Sequence, residues 1–383
     1  MNVIEIQIRV PRARHLENMR QRQSRRAVSY GPRTTGVSVR QRYVARIRNH
    51  GARMEPHNLK IVHVINRLVP GGAEKQLQEI VHRSTLAQEI LELHGYGEER
   101  RRRKVLRRLA RELRRERPTV VIAWLERSQL AVAATAPVGT RLIAVVGGLP
   151  RRTNSFDRWL VRSAFLRFDW FVANSNASRT ATTKFALPLI LPHFDVIPNG
   201  VEPVAQRPRR TSGPMRIGFI GRNNPDKGLD VLLDALVDVS PAVEAVFVGV
   251  GVPDAVRAAG PRQIYEAIDR VPDPWEAIGS IDALVVPSRS EGSPNVITEA
   301  FVRGIPVIGT PAGGARELLD KDRGVIVPIG DSRALAKAIN AVLANPEEAR
   351  ARALSARNYA SAVHAWDRVV AGWDCLLRKV MTF

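Results

Sequence analysis

The sequence lacks the features of a protein from an oxidising compartment and those of a membrane-spanning protein. Its one cysteine, Cys375, cannot form an internal disulfide, which favours a reducing, cytoplasmic location. No apolar run approaches the roughly 18 residues of a transmembrane helix. The eight histidines show no metal-ligand spacing, and no zinc-finger, RRM or KH signature is present. What remains is a 383-residue chain that is 44% hydrophobic, which predicts two domains with sizeable cores.

Acidic residues are few relative to basic ones, 37 against 59, which gives a net charge of +22. Thirteen arginines and two glutamates lie in residues 1–53, so this stretch carries half of that charge. Because it shows little apolar periodicity, we predict that residues 1–57 form a disordered basic leader without a secretory signal. Two alternatives remain open: an organellar transit peptide, or an untranslated segment with Met54 as the initiator.

The most informative stretch is PSRSEGSPNVITEAFVRGIPVIGTPAGGARELL, residues 287–319. It follows an apolar run, Ile281–Val286, that is typical of a buried parallel strand. We predict that Ser293 caps a helix in which Pro294 takes the first position. The helix is expected to stop at Gly304, and a second buried strand follows.

The start of this helix offers a binding surface. Free backbone N–H groups around Asn295, Val296 and Ile297 form a ready site for a phosphate. Glu299 lies more than one helical turn after the helix start, where its carboxylate could accept hydrogen bonds from ribose hydroxyls. Glu291 precedes the helix, where it could contact another hydroxylated ring. A nucleotide diphosphate carrying a sugar presents these groups in that order. Alternatively, the two glutamates merely complement the helix dipole.

The 29 residues from Glu291 to Leu319 resemble the Glu-x7-Glu signature of retaining, GT-B-fold glycosyltransferases of the sucrose-synthase-like family, the glycosyl transferases group 1. The resemblance implies an α/β fold of two facing Rossmann-like, doubly wound domains with a C-terminal helix that crosses back. It also implies a nucleotide-diphosphate sugar as co-substrate, with a UDP-sugar foremost, and neither a cofactor nor a metal site.

Alternating strands and helices predict a parallel, doubly wound sheet in the first domain. The first strand is predicted at Lys60–Asn66. Two glycines that follow it, Gly71 and Gly72, would let the backbone approach a ligand closely. The sequence GGAE at this place resembles an opening of the same family. Further strands are predicted at Thr119–Leu125, Arg141–Val146, Trp170–Asn174 and Asp195–Ile197. The chain is thus predicted to consist of the leader (1–57), the first domain (58–204), a linker (205–214), a nucleotide-sugar-binding domain (215–360) and a C-terminal helix (361–383).

The second domain opens with the strand MRIGFIG, which ends at Gly221. Because Gly221 has no side chain, it leaves the backbone accessible at the end of the strand. Arg222 and Lys227 then bring two cations to the same crevice. Such a pair suits a diphosphate leaving group, whose negative charge rises as its bond to the sugar breaks. In the resembling family an arginine and a lysine in this arrangement have that role. The segment Pro253–Pro274, which commonly frames the base in that family, is irregular and leaves the base open.

Residues 98–117 are predicted to form a strongly basic helix, with eleven basic residues against four acidic ones. An apolar stripe runs along its other face, at Val105, Leu106, Leu109, Ala110 and Leu113. The basic face is either an ordinary solvated surface or a landing surface for anionic lipid, where each basic residue contributes about 1 kcal/mol. Nucleic acid attracts the same charge, but the aromatics are not interleaved with the basic residues, so no specific nucleic acid is expected.

One departure from the family concerns the acceptor. Many members carry a histidine after the strand corresponding to Arg141–Val146, whereas here the sequence reads VVGGLPRR. Backbone groups of Gly147 and Gly148, or the side chains of Arg151 and Arg152, could serve there instead.

The sequence predicts a cytoplasmic glycosyltransferase, either free or peripheral at a membrane, that acts on a lipid-linked or envelope saccharide acceptor. Arg222 and Lys227 would hold the diphosphate, and Glu291 would orient the donor sugar. The alternatives are a GT-B-fold epimerase or phosphorylase, a non-catalytic nucleotide-sugar-binding protein, and a nucleic-acid-binding protein.

Overall fold

The computed structural model describes residues 60–68, 71–93, 99–148, 154–186, 193–205, 213–240, 243–258 and 264–382. Two six-stranded sheets, parallel throughout, are covered by helices. This arrangement confirms the predicted α/β fold with two doubly wound, Rossmann-like domains. The predicted basic leader, residues 1–57, lies outside the described residues.

The first sheet is formed by six strands, and its inner strands are largely buried. The strands are β1 Ile61–Ile65, β2 Gln88–Glu92, β3 Val120–Trp124, β4 Arg141–Val146, β5 Trp170–Ala173 and β6 His193–Val196, and the helices are α1 Gly72–Arg83, α2 Glu99–Glu116, α3 Leu125–Thr135, α4 Ser155–Phe165 and α5 Asn176–Phe185. The strand order is β2-β1-β3-β4-β5-β6. We did not predict β2, because an edge strand is only partly covered and lacks a continuous apolar run.

The second sheet has the same construction. Its strands are β7 Arg216–Ile220, β8 Glu244–Val248, β9 Ile264–Ile268, β10 Ala283–Val286, β11 Val307–Gly309 and β12 Val325–Ile326. Its order is β12-β11-β10-β7-β8-β9, so β9 is another unpredicted edge strand. The helices that follow in chain order are α6 Leu229–Ala235, α7 Val252–Ala258, α8 Pro274–Ile278, α9 Asn295–Val302, α10 Ala315–Leu319, α11 Ser332–Ala344, α12 Pro346–Val363 and α13 Trp366–Thr382.

Helix α13 returns to the first domain, as predicted. Its apolar face is buried in the cluster that contains Ile61 and Leu77, and Trp373 stacks on Trp124 with ring centroids 5.7 Å apart. At the same helix, Asp374 accepts a hydrogen bond from the Thr85 backbone N–H at 3.0 Å. Residues 366–382 therefore complete the core of a domain whose six described strands all lie before residue 197.

A buried polar chain connects β1 to this returning helix. The indole N–H of Trp124 donates to His63 Nδ1 at 2.9 Å, so His63 Nε2 carries the proton that it shares with Gln88 Oε1 at 2.5 Å. Gln88 donates to Ser84 Oγ at 2.6 Å, and Ser84 Oγ donates to Asp374 Oδ1 at 2.5 Å. Complete burial lowers the pKa of His63 to about 4. His63 is therefore a neutral structural group at physiological pH.

Helix α2 confirms the predicted basic helix. Leu109 and Leu113 are buried against the first sheet, whereas Arg103, Arg107 and Arg111 are exposed on the opposite side. None of the helices in the described ranges is both long and apolar enough to cross a bilayer.

Candidate active site

A cavity of about 790 Å³ lies where the carboxyl ends of the two sheets face each other. This is the position at which open parallel sheets bind ligands. The predicted site residues that line it are Gly72, Lys227, Glu291, Asn295 and Val296. The other predicted site residues, Gly71, Gly221, Arg222, Ile297 and Glu299, do not line this cavity.

The position of Lys227 follows from a tight turn after β7. A 3₁₀ turn, Pro225–Lys227, is capped by Asn224 and ends at Gly228, which has a φ of 66°. A β-carbon at Gly228 would also collide with the carbonyl oxygen of Pro287 at the end of β10. Only glycine suits this position, because it combines a left-handed backbone with backbone contact. The turn thereby fixes Lys227 against the loop that follows β10.

Lys227 pairs with the first glutamate of the signature. Its Nζ lies 2.5 Å from Glu291 Oε1, and the same oxygen accepts a hydrogen bond from Ser288 Oγ at 2.8 Å. The glutamate side chain is 11% exposed and the lysine side chain 29%. A cation and a carboxylate therefore meet in the cavity wall, each on a different loop of the second domain.

Arg222 lies apart from this pair. It is exposed and makes no hydrogen bond or ion pair with the described part of the chain. Its charge acts on Glu74, whose carboxylate folds back over Gly71. Burial raises the pKa of Glu74 above its usual value, while its own backbone N–H and the charge of Arg222 oppose the rise. Arg222 thus faces the glycine turn of the first domain.

The start of α9 differs in detail from the prediction. Pro294, with extended backbone angles, is the N-cap, and α9 begins at Asn295, so the prediction of Ser293 as the cap was wrong. The Ile297 N–H donates to the Pro294 carbonyl at 3.1 Å and is not free for a phosphate. The N–H groups of Asn295 and Val296 make no hydrogen bond within the described ranges. Two amides, rather than three, are therefore directed outward.

Asn295 also joins the two domains. Its side-chain oxygen accepts a hydrogen bond from Asn199 Nδ2 at 2.6 Å, and its Nδ2 lies 3.4 Å from the Gly72 carbonyl. A β-carbon at Gly72 would come within 2.9 Å of that same Nδ2. A side chain at position 72 would therefore have to displace the Asn295 amide group. Nothing in the sequence around Asn199 predicts this contact, because its partner lies in the other domain.

A second contact between the domains consists largely of backbone. Gly292 packs on Gly147 so closely that an added β-carbon would collide with the Gly147 carbonyl oxygen. Ser175 Oγ donates to the Gly292 carbonyl at 3.0 Å. Nearby, the Glu317 carboxylate accepts the Ala177 N–H at 2.5 Å, at the first turn of α5. The favourable charge of a carboxylate at a helix start supports this contact.

Both carboxylate oxygens of Glu299 are engaged. Oε1 lies 3.0 Å from Lys75 Nζ of the first domain, and Oε2 accepts a hydrogen bond from Trp275 Nε1 at 2.8 Å. Arg303 lies over the Trp275 ring at 4.4 Å and donates to the Glu299 carbonyl at 2.8 Å. No role was predicted for Lys75, Trp275 or Arg303. Arg303 lies within the 291–319 signature, whereas Lys75 and Trp275 lie outside it.

The first-domain wall of the cavity contains a strained turn. Leu125, the first residue of α3 and the residue directly after β3, has a φ of 66°, which is unfavourable for a residue with a side chain. The turn places Glu126 and Arg127 in the cavity wall. Gly147 and Gly148, from the stretch without a histidine, also line the cavity, while Arg151 and Arg152 lie outside the described residues. Among the residues described, no group of three or more His, Cys, Asp or Glu side chains could hold a metal ion.

Two family models match the chain in succession. The model described as Glycosyltransferase Family 4 matches residues 41–204, and that described as Glycosyl transferases group 1 matches residues 214–345. A phosphatidyl-myo-inositol mannosyltransferase of Mycobacterium leprae is 33% identical over 201 residues, which are 48% of this chain and 51% of that protein. A GDP-mannose-dependent alpha-mannosyltransferase of Mycobacterium tuberculosis is 32% identical over 136 residues, 35% of each chain. The matches thus span about a third to a half of these relatives.

Solved structures share the fold over most of their length. A sucrose-phosphate synthase from Thermosynechococcus elongatus has a TM-score of 0.73 and 16% identity, and the match covers 85% of this chain and 99% of that one. Anabaena HepE, in complex with UDP and glucose, has a TM-score of 0.71 and 21% identity, covering 84% of this chain and 100% of that one. With its two facing sheets and two successive family matches, the chain belongs to the GT-B-fold glycosyltransferases of group 1.

Proposed function

We propose that the protein transfers a sugar from a nucleotide diphosphate to a hydroxylated acceptor, with retention of configuration at the sugar. One observation carries this proposal. The Lys227–Glu291 pair and the two outward amides of α9 line the same cavity, between the carboxyl ends of two parallel sheets. Positive charge and hydrogen-bond donors thus meet a carboxylate at the place where such sheets bind nucleotides.

The diphosphate would be held by Lys227, Arg222 and the start of α9. As the bond between the sugar and the diphosphate breaks, negative charge grows on the departing oxygen. Fixed donors and cations near that oxygen lower the energy of the transition state. We propose that these groups supply the positive charge and that no metal is required. A bound diphosphate also gives Lys227 a new partner, which leaves Glu291 available to the sugar hydroxyls.

The donor proposed is a UDP-sugar. HepE, which shares the fold, has been solved in complex with UDP-glucose, whereas one mycobacterial relative is named for its dependence on GDP-mannose. The proposed acceptor is a lipid-linked or envelope saccharide. In support, relatives are named for phosphatidyl-myo-inositol, teichuronic acid and lipopolysaccharide core.

Thermal unfolding with nucleotides tests the donor proposal. We expect UDP to stabilise the protein more than uridine does, because the diphosphate contacts Lys227 and α9. At 100 times its Kd, a ligand stabilises the folded state by about 2.7 kcal/mol. A panel of UDP, GDP and ADP, with uridine as the control, identifies the base. The proposal would be refuted if none of the three diphosphates raised the Tm.

A lipid-linked acceptor requires the enzyme to reach a membrane surface, and α2 offers a suitable one. We call Arg103, Arg107, Arg111 and Arg114 the basic face; these four side chains are exposed and have no partner among the described residues. By contrast, Arg115 bonds to Glu112 and Glu116 on the same helix and is not counted. Phe156 and Trp159 of α4, which packs in the same layer of helices, are 69% and 61% exposed. We propose that cations and exposed aromatic rings together contact anionic lipid.

Vesicle binding tests this surface. The double variant Arg107→Gln/Arg111→Gln is expected to bind anionic vesicles about 30-fold more weakly, since each basic residue near such a surface contributes about 1 kcal/mol. Cosedimentation of the full chain measures the effect, which should diminish at high salt because the charges are screened over about 8 Å at physiological ionic strength.

A matched control comes from α11, where Arg333 and Lys337 are exposed at the same four-residue spacing. The variant Arg333→Gln/Lys337→Gln should bind vesicles as the unmodified protein does. Equal losses in both double variants would show that only the total charge matters. Equal binding to neutral and anionic vesicles would exclude an electrostatic surface on α2.

A further inference from the structure

The Glu299 carboxylate makes one polar contact within its own domain and one with the other domain. Trp275 of α8 belongs to the same domain as Glu299 and bonds to Oε2, whereas Lys75 of α1 reaches Oε1 from the other domain. The two partners therefore come from different domains, and the contacts around each show that one is held more firmly than the other.

Trp275 is firmly held. It is 4% exposed, its ring is covered by Arg303 at 4.4 Å, and its backbone N–H donates to Asp273 at 2.8 Å in the first turn of α8. Arg303 is itself tied to the Glu299 carbonyl. Because an indole has a single N–H donor and this ring cannot turn away, the Oε2 atom of Glu299 stays oriented by Trp275.

Lys75 is held loosely. Its side chain is 57% exposed, against 17% for Glu299, and the ion pair at 3.0 Å is its sole polar side-chain contact within the described ranges. Pairs of this kind contribute little, because solvent screens them and because a long side chain loses freedom when it is fixed. A ligand that offers better donors to Oε1 can therefore replace the ammonium group.

We propose that Lys75 is an exchangeable occupant of the ribose position, displaced from Glu299 when a nucleotide binds, while Trp275 keeps the carboxylate oriented in both states. This inference rests on the proposed function, in which Glu299 accepts hydrogen bonds from ribose hydroxyls. It has a consequence for affinity. Lys75 competes with the nucleotide and Trp275 assists it, so removing the two side chains should change binding in opposite directions.

Calorimetric titration of the full chain tests this with UDP, or with GDP or ADP if the unmodified protein prefers one of them. Lys75→Ala should bind the diphosphate about 2- to 5-fold more tightly, the range expected for losing an exposed ion pair. Trp275→Phe should bind it at least about tenfold more weakly, because a hydrogen bond to a charged group is lost. Trp275→His keeps a ring N–H and should recover part of the affinity.

The 2′,3′-dideoxy form of the same diphosphate provides the internal control. It has no ribose hydroxyls and cannot displace Lys75, so both variants should bind it as the unmodified protein does. Lys337→Ala, another exposed lysine, should change neither affinity. If Trp275→Phe does not fold, Arg303→Gln loosens the same indole without emptying the core and should also weaken binding.

The outcomes separate the two proposals. If the unmodified protein binds no nucleoside diphosphate, the proposed function fails and this inference fails with it. If it binds one and Lys75→Ala binds it equally or more weakly, only the inference is overturned, because Lys75 is then a spectator or a nucleotide ligand. An equal gain in affinity for the dideoxy form would likewise overturn it.

Discussion

Alanine in place of Lys227 should lower kcat by about 100-fold or more, because the departing diphosphate loses a cation that is held in place before the reaction begins. Lys227 lines the cavity and lies on a turn that Gly228 fixes against Pro287. Donor turnover, measured as release of nucleotide diphosphate, gives kcat directly. We expect a loss of similar size for Arg222→Ala, whose charge acts on Glu74 beside the glycine turn of the first domain.

Lys227 and Glu291 share a bond, so the effect of one must be distinguished from that of the other. Glu291→Gln keeps the lysine and removes the carboxylate, which should impair orientation of the sugar while leaving affinity for the free diphosphate unchanged. Lys227→Ala should weaken that affinity. Lys337→Ala, on the surface of α11, serves as the control. Unchanged turnover in both cation variants, with the protein folded, would exclude their role at the leaving group.

Gly292→Ala should also reduce kcat by about 100-fold, for a geometric reason. The added methyl group would collide with the Gly147 carbonyl oxygen, so the two domains could not reach the contact that the structure shows. Reacting groups on opposite domains would then be misplaced by about an ångström, which is enough for a loss of that size. Steady-state kinetics measures the change.

Gly372→Ala, on α13 and outside the cavity lining, is the control for this effect. Its added β-carbon would meet Ile197 at 3.8 Å, an ordinary contact. We therefore expect nearly normal turnover. Both variants should bind nucleotide diphosphate normally, since its proposed ligands lie in the second domain. Normal turnover by Gly292→Ala would mean that the reaction does not require this contact.

The motif-bearing half of the site was predictable because its signals are local. Two buried strands, a glycine stop and two glutamates at fixed spacing lie within residues 281–319, and the structure forms β10, α9 and β11 there. Lys227 and Glu291 were both identified, although their bond to each other was not. Ser293 was assigned as the cap because serine favours that role, whereas the extended backbone of Pro294 delays the helix by one residue.

What escaped prediction depends on contacts between distant residues. Lys75 is separated from its partner Glu299 by 224 residues, and nothing near either one indicates the pairing. Trp275 follows an irregular segment in which edge strand β9 was also missed. Glu317 meets the start of α5 only because two domains fold toward each other. Local periodicity carries no information about the approach of two domains, so these contacts could not be predicted from the sequence.

The return of α13 to the first domain also sets an order for folding during synthesis. Ser84 and Asp374, which bond to each other, are 290 residues apart, so at about 5 to 20 residues per second the second is made about 15 to 60 s after the first. Until then the face of the first sheet that receives Trp373 is open, and Trp124 lacks its stacking partner. The domain made first is therefore completed last, and until then its uncovered apolar face exposes the nascent chain to aggregation or to a chaperone.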